Sequence, residues 1–303
     1  MTATHLPAKA SIAARTRQYI LLASLFVIPQ DRRARVLQHM DGRYNLFGEE
    51  GLNHNMGYWA GDPDSLDEAS DALARLLADV GGLRDGARLL DVGCGFGDQD
   101  MLWAQEYDLA ELVAIDIVEF KVELARQRAR AAGLDRVRFD TGTGCRLRYP
   151  DSSFDHVFAI ESSFHIRTRA AFFAEAFRVL RPGGRLALAE PAPARGVRLS
   201  RMAVLMQQTV VATPRENIYD ADGYRRELQR AGFTGIEIRS IKDQAFTPFM
   251  RYLRRRLTDP VVVGRVNPMV RAMWKGWAEQ ADGQSGMAGE QDYLLVTASR
   301  PGS

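Results

Sequence analysis

The residues of this 303-residue chain that could do chemistry gather around one short segment, Asp91-Val92-Gly93-Cys94-Gly95-Phe96-Gly97. An apolar run, ARLL (87–90), leads into it and a helical pattern leaves it, which is the setting in which a glycine-rich turn binds a ligand. Glycine lets the backbone turn tightly and approach a ligand with no Cβ in the way. A loop built for pyrophosphate spaces its glycines G-x-G-x-x-G and sets a helix N-terminus against the anion. Here the spacing is G-x-G-x-G, and Asp91 sits inside the motif, where it repels a pyrophosphate and suits a cationic amine. The next acid at a strand end, Asp116 in LVAIDI (112–117), is placed to bind the hydroxyls of a ribose. Glu161 and His165 follow a later apolar run, DHVFAIE (155–161). Histidine is the usual general base near neutral pH, with an unperturbed pKa of about 6.5.

These residues need a scaffold, and the chain supplies one. ARLLDVG, LVAIDI, RVRFDTG, DHVFAIE and RLALAEP are short apolar runs separated by helical patterns at 98–106, 119–132 and 168–180. Buried strands alternating with helices predict an α/β fold, a Rossmann-like doubly wound sheet covered on both faces. The run Arg181-Pro182-Gly183-Gly184 reads as the turn before the strand RLALAEP. After Pro193 the alternation stops. Residues 197–230 read as helical with a break at Pro214, a strand follows at 235–241, a second helical block runs from about 248 to 279, and a last strand covers 293–297. The expected organisation is an N-terminal helical extension over 1–50 and a single catalytic domain over 51–303. Within that domain, helical lid segments are expected near 197–230 and 246–290. In the extension, arginines flank an apolar centre at 19–28 that needs a surface to cover it, on its own domain or on a neighbouring subunit.

Bulk properties narrow the function. A net charge of +2 is too small for a nucleic-acid binder. Two cysteines, Cys94 and Cys145, lie in no metal or disulfide pattern, and acids and histidines do not group at ligand spacings, so no metal is expected. No run reaches the 18 apolar residues of a membrane span, and the apolar stretch near the N-terminus lacks a signal-peptide form. The expectation is a cytoplasmic enzyme acting on a small molecule, with homo-oligomerisation through the N-terminal helix and neither nucleic acid nor membrane as partner.

In order and spacing, DVGCGFG, Asp116, SSFDHVFAIES and VLRPGGRLALAE resemble the class I S-adenosylmethionine-dependent methyltransferases. More narrowly, NHNMGYW (53–59), GFGDQD followed by Trp103, ESSFHIRTRAAFF and SGMAGEQDYLLVTASRPG are similar to the natural-product methyltransferases of the erythromycin-type macrolide-sugar group. The resemblance implies a seven-stranded sheet whose last strand is antiparallel. It also implies S-adenosylmethionine as methyl donor, with S-adenosylhomocysteine as product, held by Tyr58, Trp59, Asp91, Gly93, Cys94, Gly95, Gln99, Asp116, Ile117, Gly142, Thr143 and Glu161. Two positions depart from the pattern. Thr143 stands where many relatives carry an adenine-binding Asp, and Lys121 where many carry Gln.

On the acceptor side His165 is either the base that deprotonates an alcohol or a hydrogen-bonding residue that shapes the pocket, with Glu161 as a second catalytic candidate. Tyr19, Phe164, Met202, Met206, Phe246 and Phe249 are the candidate substrate contacts, and each fits an ordinary core role equally well. Three activities remain open: O-methylation of a hydroxyl on a bulky specialised metabolite; C-methylation of a prenyl double bond with coupled cyclisation, as in teleocidin-type relatives; and cofactor binding without methyl transfer, as a cyclase or scaffold. The second chemistry needs aromatic faces around a carbocation, drawn from Tyr19, Phe164, Phe172, Phe246 and Trp274.

Overall fold

A computed structural model describes residues 48, 51–209, 211–265, 268–279 and 289–302. Tyr19 and most of the 1–50 extension lie outside these residues, as does the side chain of Met206. In chain order the elements are α1 (Leu66–Gly81), β1 (Arg88–Val92), α2 (Asp98–Glu106), β2 (Glu111–Asp116), α3 (Glu119–Ala131), β3 (Val137–Thr141) and β4 (Phe154–Ile160). They continue with α4 (Arg169–Val179), β5 (Leu180–Pro193), α5 (Arg201–Thr209), α6 (Ala221–Arg230), β6 (Thr234–Ser240), α7 (Phe246–Arg256), α8 (Pro260–Arg265), α9 (Pro268–Glu279) and β7 (Gln291–Ser299). Short 3-10 turns occupy Ser163–His165 and Arg215–Asn217.

The seven strands form one sheet in the order β3-β2-β1-β4-β5-β7-β6, parallel except for β7, which runs antiparallel to both neighbours. Side chains alternate across a strand, so the sheet feeds two core layers. Leu89, Phe158, Ala187 and Leu295 face α1, α2, α3 and α7, while Leu90, Val157, Leu186 and Val296 face α4 and α6. Helix α1 has no counterpart among the sequence expectations. Ser65 caps it by accepting from the Glu68 backbone N–H at 3.1 Å, and Gly82 ends it in the left-handed region. Its last residue must be glycine because a Cβ on Gly81 would stand 2.4 Å from the Phe158 ring.

One late expectation needs correction. Residues 181–184 do not form a turn outside the strand, because β5 already begins at Leu180. That residue pairs with Phe154, the next pair along is His156 with Arg185, and the Pro-Gly-Gly run is absorbed as an irregularity. Residues 183 and 184 are held from the other side, where Gly183 N–H donates to Arg300 O and Arg300 N–H donates to Gly184 O. The helical block at 197–230 is two helices with the expected break between them, where Pro214 opens a 3-10 turn, and the Asp220 carboxylate caps the second helix. No helix among the described residues is long and apolar enough to cross a membrane.

His156 on β4 is 2% exposed and neither ring nitrogen has a hydrogen-bond partner among the described residues. Burial pulls its pKa down to about 4, with Arg84, Arg185 and Arg181 adding to the effect and Asp155 opposing it. In the unfolded chain the ring protonates near pH 6.5, so stability is full above that pH and falls as pH drops toward 4. His156→Leu removes this dependence. Between pH 7 and pH 5 the native protein should lose about 2 kcal/mol more than the variant, read from urea unfolding midpoints. Parallel curves would refute the assignment.

Candidate active site

The carboxyl ends of β1, β2, β4 and β5 bring the sequence-predicted residues together. Strand order reverses around β1, which lies between β2 and β4, and this is the switch point where open α/β sheets bind ligands. The glycine loop crosses this edge. Gly93 N–H and Cys94 N–H both donate to Ile115 O, at 2.7 and 3.0 Å, and fold the loop back over β2. Gly93 has φ +93, and a Cβ there would stand 2.2 Å from Ser162 Cβ. Ser162 in turn donates through Oγ to Val92 O, so the loop and the segment after β4 are locked together. Gly95, with φ +56, has nothing within 4 Å of where a Cβ would stand.

The two acids are held differently. Asp116 accepts from Gly95 N–H at 3.1 Å and from Val118 N–H at 2.8 Å, so it braces the loop. Asp91 is fully buried. Gln99 Nε2 donates to its Oδ2 at 2.9 Å, and burial pushes its pKa up to about 7 against the pull of its hydrogen bonds to Gln99 and Asp100. Lys121, also buried, lies over the Phe96 ring at 5.4 Å. Ile117 follows Asp116 with its side chain 42% exposed. Gly142 N–H donates to Asp116 O, and Thr143 Oγ1 accepts from Cys145 N–H.

The NHNMGYW segment closes one side. Asn55 Oδ1 accepts from Gly57 N–H at 2.9 Å, an ordinary Asx turn. Tyr58 N–H donates to Ala69 O, Trp59 N–H to Gln244 O and Trp59 Nε1 to Met56 O, and the Trp59 ring lies 5.1 Å from that of Tyr252. Trp59 is therefore a staple between α1 and α7. Glu161, half-buried with φ +44, ties this segment to the sheet. Its Oε1 accepts from Met56 N–H at 2.6 Å and from Tyr293 Oη at 2.8 Å. Burial raises the Glu161 pKa to about 7, and Glu190 adds to the rise.

His165 ends the 3-10 turn after β4, its ring 4.1 Å from that of Phe164. Burial lowers its pKa to about 4 despite a backbone hydrogen bond at Ala212, and its Nδ1 has no partner among the described residues. The turn is held by residues the sequence did not single out. Glu190 Oε1 accepts from Ser163 N–H at 2.6 Å, and its other oxygen meets Tyr224 Oη and, at 3.6 Å, Arg169. The Arg169 guanidinium lies over the Tyr219 and Tyr224 rings. Asn217 Nδ2 donates to Phe164 O and Ile166 O, and its Oδ1 accepts from Arg169 N–H. Glu190, an acid inside the apolar run ALAEP, is the signal that could have been found. Of the candidate substrate contacts, Phe246 and Phe249 pack in the core layer with Trp59 and Tyr252, whereas Met202 is 57% exposed on α5.

A methyltransferase-domain family model matches residues 90–188, from β1 through most of β5. The erythromycin 3''-O-methyltransferase of Saccharopolyspora erythraea is 31% identical over 283 residues, covering 86% of this chain and 89% of that protein. The chain belongs to the S-adenosylmethionine-dependent methyltransferases. A second methyltransferase relative, the 27-O-demethylrifamycin SV methyltransferase of Amycolatopsis mediterranei, is 40% identical over 62% of this chain and 67% of that one. Among solved structures, the [4+2]-cyclase SpnF superposes with a TM-score of 0.66 at 28% identity, covering 82% of this chain and 88% of that chain. The cofactor of this methyltransferase is S-adenosylmethionine, and the site suits it. Among the described residues, Asp91 Oδ1 is a buried oxygen without a hydrogen-bond partner, and none comes within 4 Å of where a Cβ on Gly95 would stand.

Replacing Tyr293 by Phe removes one of two donors to Glu161. An acid whose folded pKa is raised binds more protons folded than unfolded, so it lowers stability as pH rises from about 4.5 to about 7. Losing a donor extends that window upward. Tyr293→Phe should therefore cost about 1.5–3 kcal/mol at pH 8, where Glu161 is ionised, and less at pH 5, as measured by urea unfolding. An equal loss at both values would refute the coupling.

Proposed function

We propose that this methyltransferase acts on a hydroxyl of a bulky, largely apolar natural product, and that His165 receives the hydroxyl proton. The observation that carries this reading is His165 itself. It stands at the carboxyl edge of the sheet, neutral at physiological pH, with Nδ1 open to a proton donor. Bound S-adenosylmethionine supplies a methyl group on a cationic sulfur, open to direct displacement. The chain's own part is to align and to keep water out. Asp91 and Gln99 face the amino end, Asp116 the ribose, and Gly93, Cys94, Gly95, Ile117, Gly142 and Thr143 complete the cradle, while Tyr58, Trp59 and Glu161 close it from the side. A hydroxyl oxygen that gains a methyl becomes a strong acid, so even an imidazole of depressed basicity takes its proton as the new bond forms. Phe164 and Met202 are the described residues proposed to line the acceptor side, while Phe246 and Phe249 stay in the core layer. The names of the two relatives, an erythromycin 3''-O-methyltransferase and a 27-O-demethylrifamycin SV methyltransferase, support the hydroxyl.

A second reading, C-methylation or cyclisation, is supported by the likeness to SpnF, named as a [4+2]-cyclase. Against it, Phe172 packs in one core layer and Phe246 in the other, so they form no common cage for a carbocation. Incubating the protein and trideuterated S-adenosylmethionine with hydroxylated macrolide-like acceptors distinguishes the readings. A label at a methoxy shift, with His165→Ala slowed about 10²–10⁴-fold, is the expected result. A label on carbon, or an unlabelled ring-closed product, would replace it, and near-normal turnover of His165→Ala would remove the base role.

The same proposal places the enzyme in the cytoplasm, supported by its two free cysteines. It also assigns the 1–50 extension to a contact between subunits, supported by the apolar centre at 19–28. Deleting residues 1–40 should lower the mass measured by light scattering to that of a monomer, and an unchanged mass would exclude the contact.

A further inference from the structure

Asp100, in the first turn of α2, is fully buried, and its carboxyl meets the carboxyl of Asp91. Beyond its own backbone N–H, no described residue supplies a donor to either of its oxygens. Around the pair stand Gln99 on α2, the Val92 backbone on β1, Asp116 at the end of β2 and Asp98 at the start of α2. Asp98 is already engaged with Arg128 at 2.6 Å. The charge of Lys121 acts on Asp116, opposing the effect of its burial.

Two buried carboxyls in contact do not both ionise, because the mutual repulsion and the desolvation of each charge add. The charge belongs on the member with donors. Asp91 has Gln99 Nε2 at 2.9 Å and a backbone N–H at Val92, whereas Asp100 has only its own. We propose that Asp100 is a neutral carboxylic acid whose O–H donates to Asp91, leaving the pair with one negative charge to set against the single ammonium of the cofactor. Asp100 is thus a positioning residue that acts through Asp91. Without its donor Asp91 would be easier to protonate, and a neutral Asp91 has little hold on an ammonium. The inference rests on the assignment of Asp91 to the amino end of S-adenosylmethionine, but its first test needs no cofactor.

Infrared difference spectra of the cofactor-free protein at pH 9, where Asp91 and Glu161 are ionised, should contain the carbonyl stretch of a protonated, buried acid, above the amide band and sensitive to deuterium. Asp100→Asn should lose it. Calorimetric titration with S-adenosylhomocysteine, which carries the same ammonium, reads the second half. Asp100→Asn keeps a donor and should bind within a few-fold of the native protein. Asp100→Leu removes the donor and should weaken binding by about tenfold or more, the value of a hydrogen bond to a charged group. Its affinity should also fall off at a higher pH than that of the native protein. Absence of the acid band in the native protein would overturn the proposal, as would an Asn variant as weak as the Leu variant, which would mean that a charge at Asp100 is what matters. If the Leu variant does not fold, the band and the Asn variant still decide. If the band is present but native binding proves insensitive to Asp91→Asn, the assignment of Asp91 to the amine fails and the neutral acid stands.

Discussion

Four carboxylates stand side by side at the carboxyl ends of four parallel strands: Asp116 on β2, Asp91 on β1, Glu161 just after β4 and Glu190 on β5. Burying one ionised group is costly unless it is paired or hydrogen-bonded, and burying four along one edge compels the protein to find donors there. Much of the local architecture follows from how it does so. Asp116 takes the backbone N–H groups of the glycine loop and of the turn into α3. Glu161 takes the N–H of Met56 and the hydroxyl of Tyr293, which brings in a segment from before α1 and a strand from the far end of the chain. Glu190 takes Ser163, Tyr224 and Arg169, and so fixes the turn that carries His165. Along this edge, among the described residues, the Asp91 and Asp100 pair is the one left short of donors.

The same constraint explains how much could be read in the sequence. The sheet was legible because buried parallel strands are uniformly apolar and each ends in glycine or an acid, as in LLDVG and LVAID. The loop and its two acids were legible for the same reason, being adjacent in the chain. Glu190, Arg169, Tyr224 and Tyr293 were not, since their meaning lies in contacts between elements far apart in sequence and no spacing records them. Asp100 escaped notice beside Asp98, although the first is buried against Asp91 and the second pairs with Arg128. Identity of residue type hid a difference of environment.

Helix α1 is a different kind of omission. Ser65 and Glu68 stand at the spacing that opens a helix, and Gly81-Gly82 close it, so its ends were written locally. The Pro-Gly-Gly run at 182–184 erred in the opposite direction. Its composition is that of a turn, yet β7 holds Gly183 and Gly184 in the ladder through Arg300. Local chemistry proposes a turn and a neighbouring strand overrules it.

That neighbour is the last strand of the sheet, but it is not at the sheet's edge. β7 lies between β5 and β6, pairing with β5 over nine residues and with β6 on its other side. While the chain is being made, β5 therefore carries an open row of backbone donors and acceptors, and β6 has no place to dock, until about a hundred further residues have left the ribosome. Five helices of the described residues, α5 to α9, emerge in that interval together with β6. The hydroxyl of Tyr293 that satisfies Glu161 arrives with the strand that seals the gap, so the edge that bears the chemistry and the edge most exposed to mispairing are finished in one event.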